Sequence, residues 1–245
     1  LYYMDAILLK VKPNSTREIP VLNCKEIEPK IDILLYFLKS YGIILLKNYY
    51  KENTINKILE EYENVFSKHK NKINILDKED CSNDERIFYV EKYSKYIKEH
   101  FSNNVLFDNI ASCYNPSKNK RTMINKLVYE EGKVKNSGAG WHRDSHTCQF
   151  KAIMYLSDVK SENGPFTWIT NSSKNHIGYP EPRTQSYNTR FHDKTIEKLF
   201  DDNKNCEKIE VCGCVGDIIL ANTTYIHRGK IIENGERKAI TQYFF

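Results

Sequence analysis

The second half of the chain consists of short segments with a β-strand composition, and this pattern constrains the fold more than any other feature. The segments are rich in Val, Ile, Tyr, Phe and Thr, and Gly, Asn or Pro separates them. They lie at 122–130, 149–157, 165–170, 208–212, 217–221 and 237–244. Many short strands with turn residues between them are typical of antiparallel barrels and jelly rolls. We therefore expect a mainly β core over residues 121–245, interrupted by one helix over about 193–202.

The first half has a different period. Apolar residues recur three, four and seven positions apart, which places them on one face of a helix. One short aliphatic run, 43–46, suits a buried strand better. Residues 1–120 are therefore predicted to be mostly helical and to pack on the outside of the β core, within a single domain spanning 1–245. The predicted elements of this half are helices at 27–41, 53–70, 93–100 and 103–113, and a loop at 71–86.

Composition excludes several classes of protein. With 40% hydrophobic and 28% charged residues among 245, the chain should fold rather than remain disordered. Its longest stretch without Asp, Glu, Lys or Arg, 163–173, is about half of the roughly 20 residues of a membrane span. The net charge of +5 is spread along the chain, which argues against nucleic-acid binding. The seven cysteines form no CxxC pair, so we expect free thiols and a cytoplasmic protein.

The strongest chemical signal is the segment Trp141-His142-Arg143-Asp144, between two strand-like segments. In an extended chain, residues i and i+2 project from the same face, so His142 and Asp144 can approach one metal ion together. His227 is the best candidate for a third ligand, because it follows the strand-like segment 217–221. Two imidazoles and one carboxylate leave adjacent positions open, as in non-haem Fe(II) oxygenases.

Open positions on the metal determine which cosubstrate fits. A 2-oxo acid can occupy two of them and leave the third for dioxygen. Its distal carboxylate then needs a fixed cation, and Arg237 stands at the start of the last strand-like segment. Arginine suits this role because its planar guanidinium binds a carboxylate through two hydrogen bonds and keeps its charge when buried.

Several linked motifs resemble the phytanoyl-CoA dioxygenase family of Fe(II)/2-oxoglutarate oxygenases. They follow one another in the family's order, and the likeness extends over about residues 34–245. One departure is Asn171-Ser172-Ser173-Lys174, where the family usually carries Gly-Ser-His-Lys at the rim of the barrel. The matching motifs are Ile124-Asn125-Lys126, Trp141–Ser145, Tyr155–Val159, Glu162–Phe166, His227–Gly229 and Arg237–Thr241.

This resemblance implies a double-stranded β-helix in which His142, Asp144 and His227 bind iron and Arg237 binds the C5 carboxylate of 2-oxoglutarate. Matching strand positions imply that Thr122 and Lys126 line the cosubstrate pocket. The family's chemistry implies hydroxylation of a small organic substrate, with succinate and CO2 as coproducts. Halide-transferring relatives lack the carboxylate, so the presence of Asp144 favours hydroxylation or a related oxidation.

Other interpretations of these residues remain open. The chain could be a non-catalytic jelly roll that binds a ligand, or a cupin-like metalloenzyme that uses no oxo acid. His146 could line the substrate entrance rather than bind metal, and Lys151 or Tyr155 could contact substrate or cosubstrate. The long connection 175–191 could form a lid over the barrel mouth.

Overall fold

The computed structural model describes residues 7, 9–15, 18–75, 83–114, 119–133, 140–144, 149–173 and 190–245. The α-helices are α1 (Ile31–Tyr41), α2 (Glu52–Lys68), α3 (Lys95–Ile97), α4 (Val105–Tyr114) and α5 (Asp193–Asp202), and a π-helix (Lys98–Ser102) continues α3. The strands are β1 (Val21–Asn23), β2 (Ile43–Lys47), β3 (Asn74–Ile75), β4 (Asn83–Phe88), β5 (Lys120–Val128), β6 (Phe150–Tyr155), β7 (Phe166–Ile169), β8 (Lys208–Val211), β9 (Ile218–Asn222), β10 (His227–Gly229) and β11 (Glu236–Phe244).

These strands form two sheets. The larger has the order β1-β2-β9-β6-β11-β5-β4-β3 and is antiparallel except between β1 and β2. The smaller has the order β10-β7-β8. Side chains from both sheets, among them Tyr155 and Trp168, share one apolar cluster, so the sheets face each other. This is the mainly β, double-stranded β-helix architecture that the strand pattern and the family resemblance predict.

The larger sheet is covered on both faces. On its outer face, Ile124 of β5 and Ile240 of β11 share a fully buried cluster with Phe37 of α1 and Phe107 of α4. The alternate residues of the same strands point between the two sheets, because successive side chains of a strand lie on opposite faces. The N-terminal helices therefore pack on the outside, as predicted.

The N-terminal part contributes more strand than the sequence pattern predicts. β2 pairs with β9 and β4 pairs with β5, so strands from both halves form one sheet. The prediction that 71–86 is a loop is wrong for β3 and for most of β4, and the predicted β core at 121–245 leaves out the four strands β1 to β4. β4 contains Asp84 and Arg86 on its inner face, and such charged positions hide the alternation of a strand.

Local chemistry explains where α1 begins and ends. It begins at Ile31 rather than Ile27, because Pro29 restricts the residue before it to an extended conformation. It ends at Gly42, which has a φ of 78° and donates its N–H to the carbonyl of Leu38. A side chain at Gly42 would also collide with the ring of Tyr225.

No helix among the described residues combines the length and the apolar character that crossing a membrane requires. The cysteines that the structure describes with side chains are free thiols.

Candidate metal centre

Three of the predicted residues converge at the mouth of the space between the sheets. One ligand atom each from His142, Asp144 and His227 lies within 4.8 Å of the others. The two imidazole Nε2 atoms are each 3.6 Å from a carboxylate oxygen of Asp144. Within the described part of the chain, this is the one group of three or more such side chains that could hold a metal ion.

Backbone hydrogen bonds orient both imidazoles. Nδ1 of His142 lies 2.8 Å from the carbonyl of Gly140, and Nδ1 of His227 lies 2.9 Å from the carbonyl of Tyr225. With Nδ1 as the donor, each ring presents the lone pair of Nε2 to the centre. Nε2 of His227 is buried and has no hydrogen-bond partner. A buried polar atom without a partner is costly, and a metal ion would satisfy it.

The protonation states also suit a cation. Burial lowers the pKa of His227 to about 4, so this imidazole is neutral near pH 7. Burial raises the pKa of Asp144, but the positive charge of Lys151, together with interactions with His227 and His142, lowers it by more, and the resulting pKa is well below the usual value. At His227 and Asp144 the centre therefore offers a neutral imidazole and a carboxylate, which are the forms that bind metal.

Apolar packing holds the segment that carries His142 and Asp144. Trp141 is buried in a cluster with Ile169 and Ile226, and Arg143 is fully buried beneath the ring of Phe191. Trp141 and Arg143 thus point away from the centre, while the residues between and after them face it. His142 and Asp144 thus face the same side, as their i, i+2 spacing predicts.

Ser172 connects the two ligand-bearing segments. Its hydroxyl donates to the carbonyl of Ile169 and accepts from the N–H of Ile226, next to His227. Its carbonyl accepts from Arg143, at 2.9 Å. The preceding Asn171 has a φ of 53°, which asparagine tolerates better than most residues, in the place of the family's glycine. Although this segment differs in sequence from the family's Gly-Ser-His-Lys, it retains the turn at Asn171 and the serine at position 172.

Arg237 lines the same cavity as the three candidate ligands. The cavity has a volume of about 220 Å³. One terminal N–H of Arg237 donates to the carbonyl of Gly164, and its Nε is buried without a hydrogen-bond partner. Burial lowers the pKa of Arg237 below its usual value, but a guanidinium keeps its charge at neutral pH. A carboxylate would supply the partner that Nε lacks.

Thr122 and Lys126 do not line this cavity, and the prediction for them is wrong. Thr122 is fully buried on the outer face of β5, where its hydroxyl bonds to Ser102 and Gln242. Lys126 is opposite Lys238, whose ammonium pairs with Glu63 of α2. The reason is parity: the pocket side of β5 carries the alternate residues, including Asn125.

The cavity also contains residues that the sequence pattern does not identify, or whose role it leaves open. The side chain of Asn125 is buried and borders the cavity. Arg86 lines the cavity and forms a two-point ion pair with Asp84. Lys151 and Tyr155, the two residues that the parity of β6 suggested, both line the cavity, and Lys151 lies 2.6 Å from Asp144. Asn125 and Arg86 could have been found only with the strand register in hand.

Two further predictions concern residues outside the described part of the chain. His146 lies there, as does most of the connection 175–191. Arg190, at its end, borders the cavity next to His142.

Comparisons with known proteins identify the family and the fold. The family model described as phytanoyl-CoA dioxygenase (PhyH) matches residues 38–239. Comparison with curated protein sequences finds no match.

Solved structures with a similar fold share little sequence identity with the chain. The α-ketoglutarate-dependent epimerase SnoN from nogalamycin biosynthesis is 13% identical, with a TM-score of 0.67 over 87% of this chain and 82% of that one. The carbocyclase SnoK from the same biosynthesis is 12% identical, with a TM-score of 0.61 over 91% and 85%. EctD from S. alaskensis, solved with 2-oxoglutarate and 5-hydroxyectoine, is 14% identical, with a TM-score of 0.62 over 86% and 74%. At these identities the likeness establishes the fold alone.

Proposed function

The chain belongs to the phytanoyl-CoA dioxygenase family, and on that premise we propose that it is an Fe(II)- and 2-oxoglutarate-dependent oxygenase. The observation that carries the proposal is the convergence of His142, Asp144 and His227 on a cavity that also contains Arg237. The structures of SnoN with iron and α-ketoglutarate and of EctD with 2-oxoglutarate support it from the same fold. We propose further that the chain hydroxylates a small organic substrate in the cytoplasm.

Each proposed ligand has a defined role. The Nε2 atoms of His142 and His227 and the carboxylate of Asp144 would hold the metal, with both rings fixed through Nδ1. Ferrous iron bound there would supply the activation of dioxygen that accompanies conversion of 2-oxoglutarate to succinate and CO2. The rings of Phe166 and Trp168 lie against His227, with centroids 5.2 and 6.3 Å from its own, and they keep water away from that side.

Arg237 would bind and orient the cosubstrate. Its guanidinium is held at one end by the Gly164 carbonyl, which leaves other N–H groups to take a carboxylate in the two-point geometry that arginine favours. A guanidinium fixed before binding loses less conformational entropy than a mobile one, so affinity rises. The distal carboxylate of 2-oxoglutarate would then be anchored at Arg237, and its 2-oxo acid end would extend toward the metal site.

An anaerobic titration tests the proposal. Adding Fe(II) and 2-oxoglutarate together should produce a weak metal-to-ligand charge-transfer band, which neither produces alone. His142→Ala should lose iron and the band. Arg237→Leu should keep iron but need at least roughly 30-fold more 2-oxoglutarate, because charge-assisted hydrogen bonds of about 2 kcal/mol or more are lost.

Two outcomes would favour the alternatives. A wild-type protein that binds neither iron nor 2-oxoglutarate would be a non-catalytic jelly roll. One that binds iron without response to 2-oxoglutarate would be a cupin-like metalloenzyme of another kind. If the band forms, succinate release across a panel of metabolites identifies the substrate, and incorporation of labelled dioxygen into the product separates hydroxylation from other oxidations.

A further inference from the structure

Lys151 is a buried cation at the proposed metal centre. It projects from β6 into the cavity with 8% of its surface exposed, and its Nζ lies 2.6 Å from Oδ2 of Asp144. Nζ is also 4.7 Å from the centroid of the Tyr243 ring. Burying an ammonium is costly unless an opposite charge accompanies it. Among the described residues that line the cavity, Asp144 is the only acid.

The other cations of the cavity have partners of their own. Arg86 is paired with Asp84 at 2.9 and 3.2 Å, so its charge is balanced within β4. Under the proposed function, Arg237 is balanced by the distal carboxylate of 2-oxoglutarate. Arg190 borders the cavity from an exposed position at the rim, where water screens its charge. Lys151 is thus the buried cation whose positive charge is balanced by Asp144.

Metal binding would change that balance. A ferrous ion carries two positive charges, and Asp144 would be its one anionic protein ligand. The second carboxylate of 2-oxoglutarate offsets the remaining metal charge, so the buried Lys151 retains an uncompensated positive charge. An anion bound beside it would remove the cost of that buried charge.

We propose that the substrate of this chain carries a carboxylate, and that Lys151 binds this group beside the metal ligands. The inference rests on the proposed function and extends it to a substrate class: small organic acids. A single carboxylate matches the single excess charge, whereas a phosphate dianion calls for more donors than one ammonium supplies. Lys151 would then be a specificity-determining residue.

Matched pairs of a carboxylic acid and its neutral amide provide the test. Butyrate and butyramide, hexanoate and hexanamide, and 4-phenylbutyrate and its amide are titrated anaerobically into protein loaded with Fe(II) and saturating 2-oxoglutarate. Binding is followed as a change in shape of the charge-transfer band, because displacement of 2-oxoglutarate would instead abolish it. For at least one pair, the acid should bind roughly ten-fold tighter than its amide, as expected for a charge-assisted hydrogen bond.

Variants assign that preference to Lys151. Lys151→Met should reduce the preference below roughly two-fold and leave affinity for 2-oxoglutarate within about three-fold, whereas Lys151→Arg should retain part of the preference. Lys126→Met removes a lysine from the outer face of β5 and should retain all of it.

Three results would overturn the inference. Acids and amides could bind alike in every pair; Lys151→Met could lose 2-oxoglutarate, which would make Lys151 a cosubstrate residue; or Lys151→Met could lose iron, which would make it a positioning residue for Asp144. Failure of the proposed function is distinguishable from all three, because wild-type protein would then form no charge-transfer band.

Discussion

The two faces of the larger sheet are made by the same strands but have opposite chemistry. The outer face of β5 and β11 carries Ile124 and Ile240, which are fully buried against the helices. The inner face of the same strands carries Asn125 and Arg237, which line the cavity. Alternation along a strand therefore separates a surface that stabilises the fold from one that can bind a ligand.

This separation predicts that neighbouring residues differ in their contribution to stability. Ile124→Ala should lower the free energy of unfolding by about 2–5 kcal/mol, because it removes buried methyl groups from a filled core. Met123→Ala should cost less than half as much, because Met123 already borders an open cavity. Urea unfolding followed by circular dichroism measures both. Equal losses would mean that the inner face contributes as much to stability as the outer one.

The inner face should also make metal-free protein sensitive to acid. His227 has a pKa of about 4 when folded, mainly because of burial, against about 6.5 when exposed. Between these values the unfolded chain binds more protons, so stability should fall as the pH drops from 6.5 to 4, by up to about 3 kcal/mol. The contribution of His227 is fully present above pH 6.5. Asp144 acts at lower pH, because its folded pKa is below the usual value.

Urea unfolding of metal-free protein across this pH range tests the effect. His227→Gln should flatten the dependence on pH. His100→Gln, which removes an imidazole from the π-helix that continues α3, is the matched control, and its stability should follow the same pH dependence as that of wild type. Parallel curves for wild type and His227→Gln would contradict the assignment.

A smaller effect is expected at Gly164, which holds Arg237 through its carbonyl. Gly164 has a φ of 70°, and a side chain there would approach the carbonyl oxygen of Lys230 to 2.9 Å. Gly164→Ala should therefore cost about 1–2 kcal/mol from the left-handed conformation, together with a loss of affinity for 2-oxoglutarate.

Gly132 provides a matched control. Its φ is 80°, but no atom of the described residues lies within 4 Å of where its side chain would be. Gly132→Ala should show a similar cost from the backbone alone and bind 2-oxoglutarate normally. If the two variants bound 2-oxoglutarate equally well, the carbonyl of Gly164 would have no part in orienting Arg237.

The sequence predicts elements with a clear period and side chains with a distinctive chemistry. Strand β11, at Glu236–Phe244, lies close to the predicted 237–244, because its apolar residues fill both faces. The convergence of His142, Asp144 and His227 follows from residue type and spacing. β4 and β10 were not predicted, because charged residues hide the period of β4 and β10 has only three residues.

What the sequence leaves undetermined is the register of each strand, and the error at Thr122 and Lys126 shows this. A shift of one residue moves every side chain to the other face, so a match to a family strand identifies the strand before it identifies the face. Asn125 and Lys126 are neighbours, yet the first borders the cavity and the second lies opposite Lys238 on the helical side.

The substitution with the smallest expected effect therefore tests the difference between the two faces of β5 most directly. Lys126→Met should change stability by less than about 0.5 kcal/mol, because Lys126 is partly exposed and forms no ion pair with any described residue. Its affinity for 2-oxoglutarate should equal that of wild type, whereas Asn125→Ala should bind 2-oxoglutarate or substrate more weakly, because a polar group at the cavity wall is lost. Isothermal titration of both variants measures the difference. A loss of 2-oxoglutarate affinity in Lys126→Met but not in Asn125→Ala would reverse the two faces of β5, and with them the assignment of every inner residue on that strand.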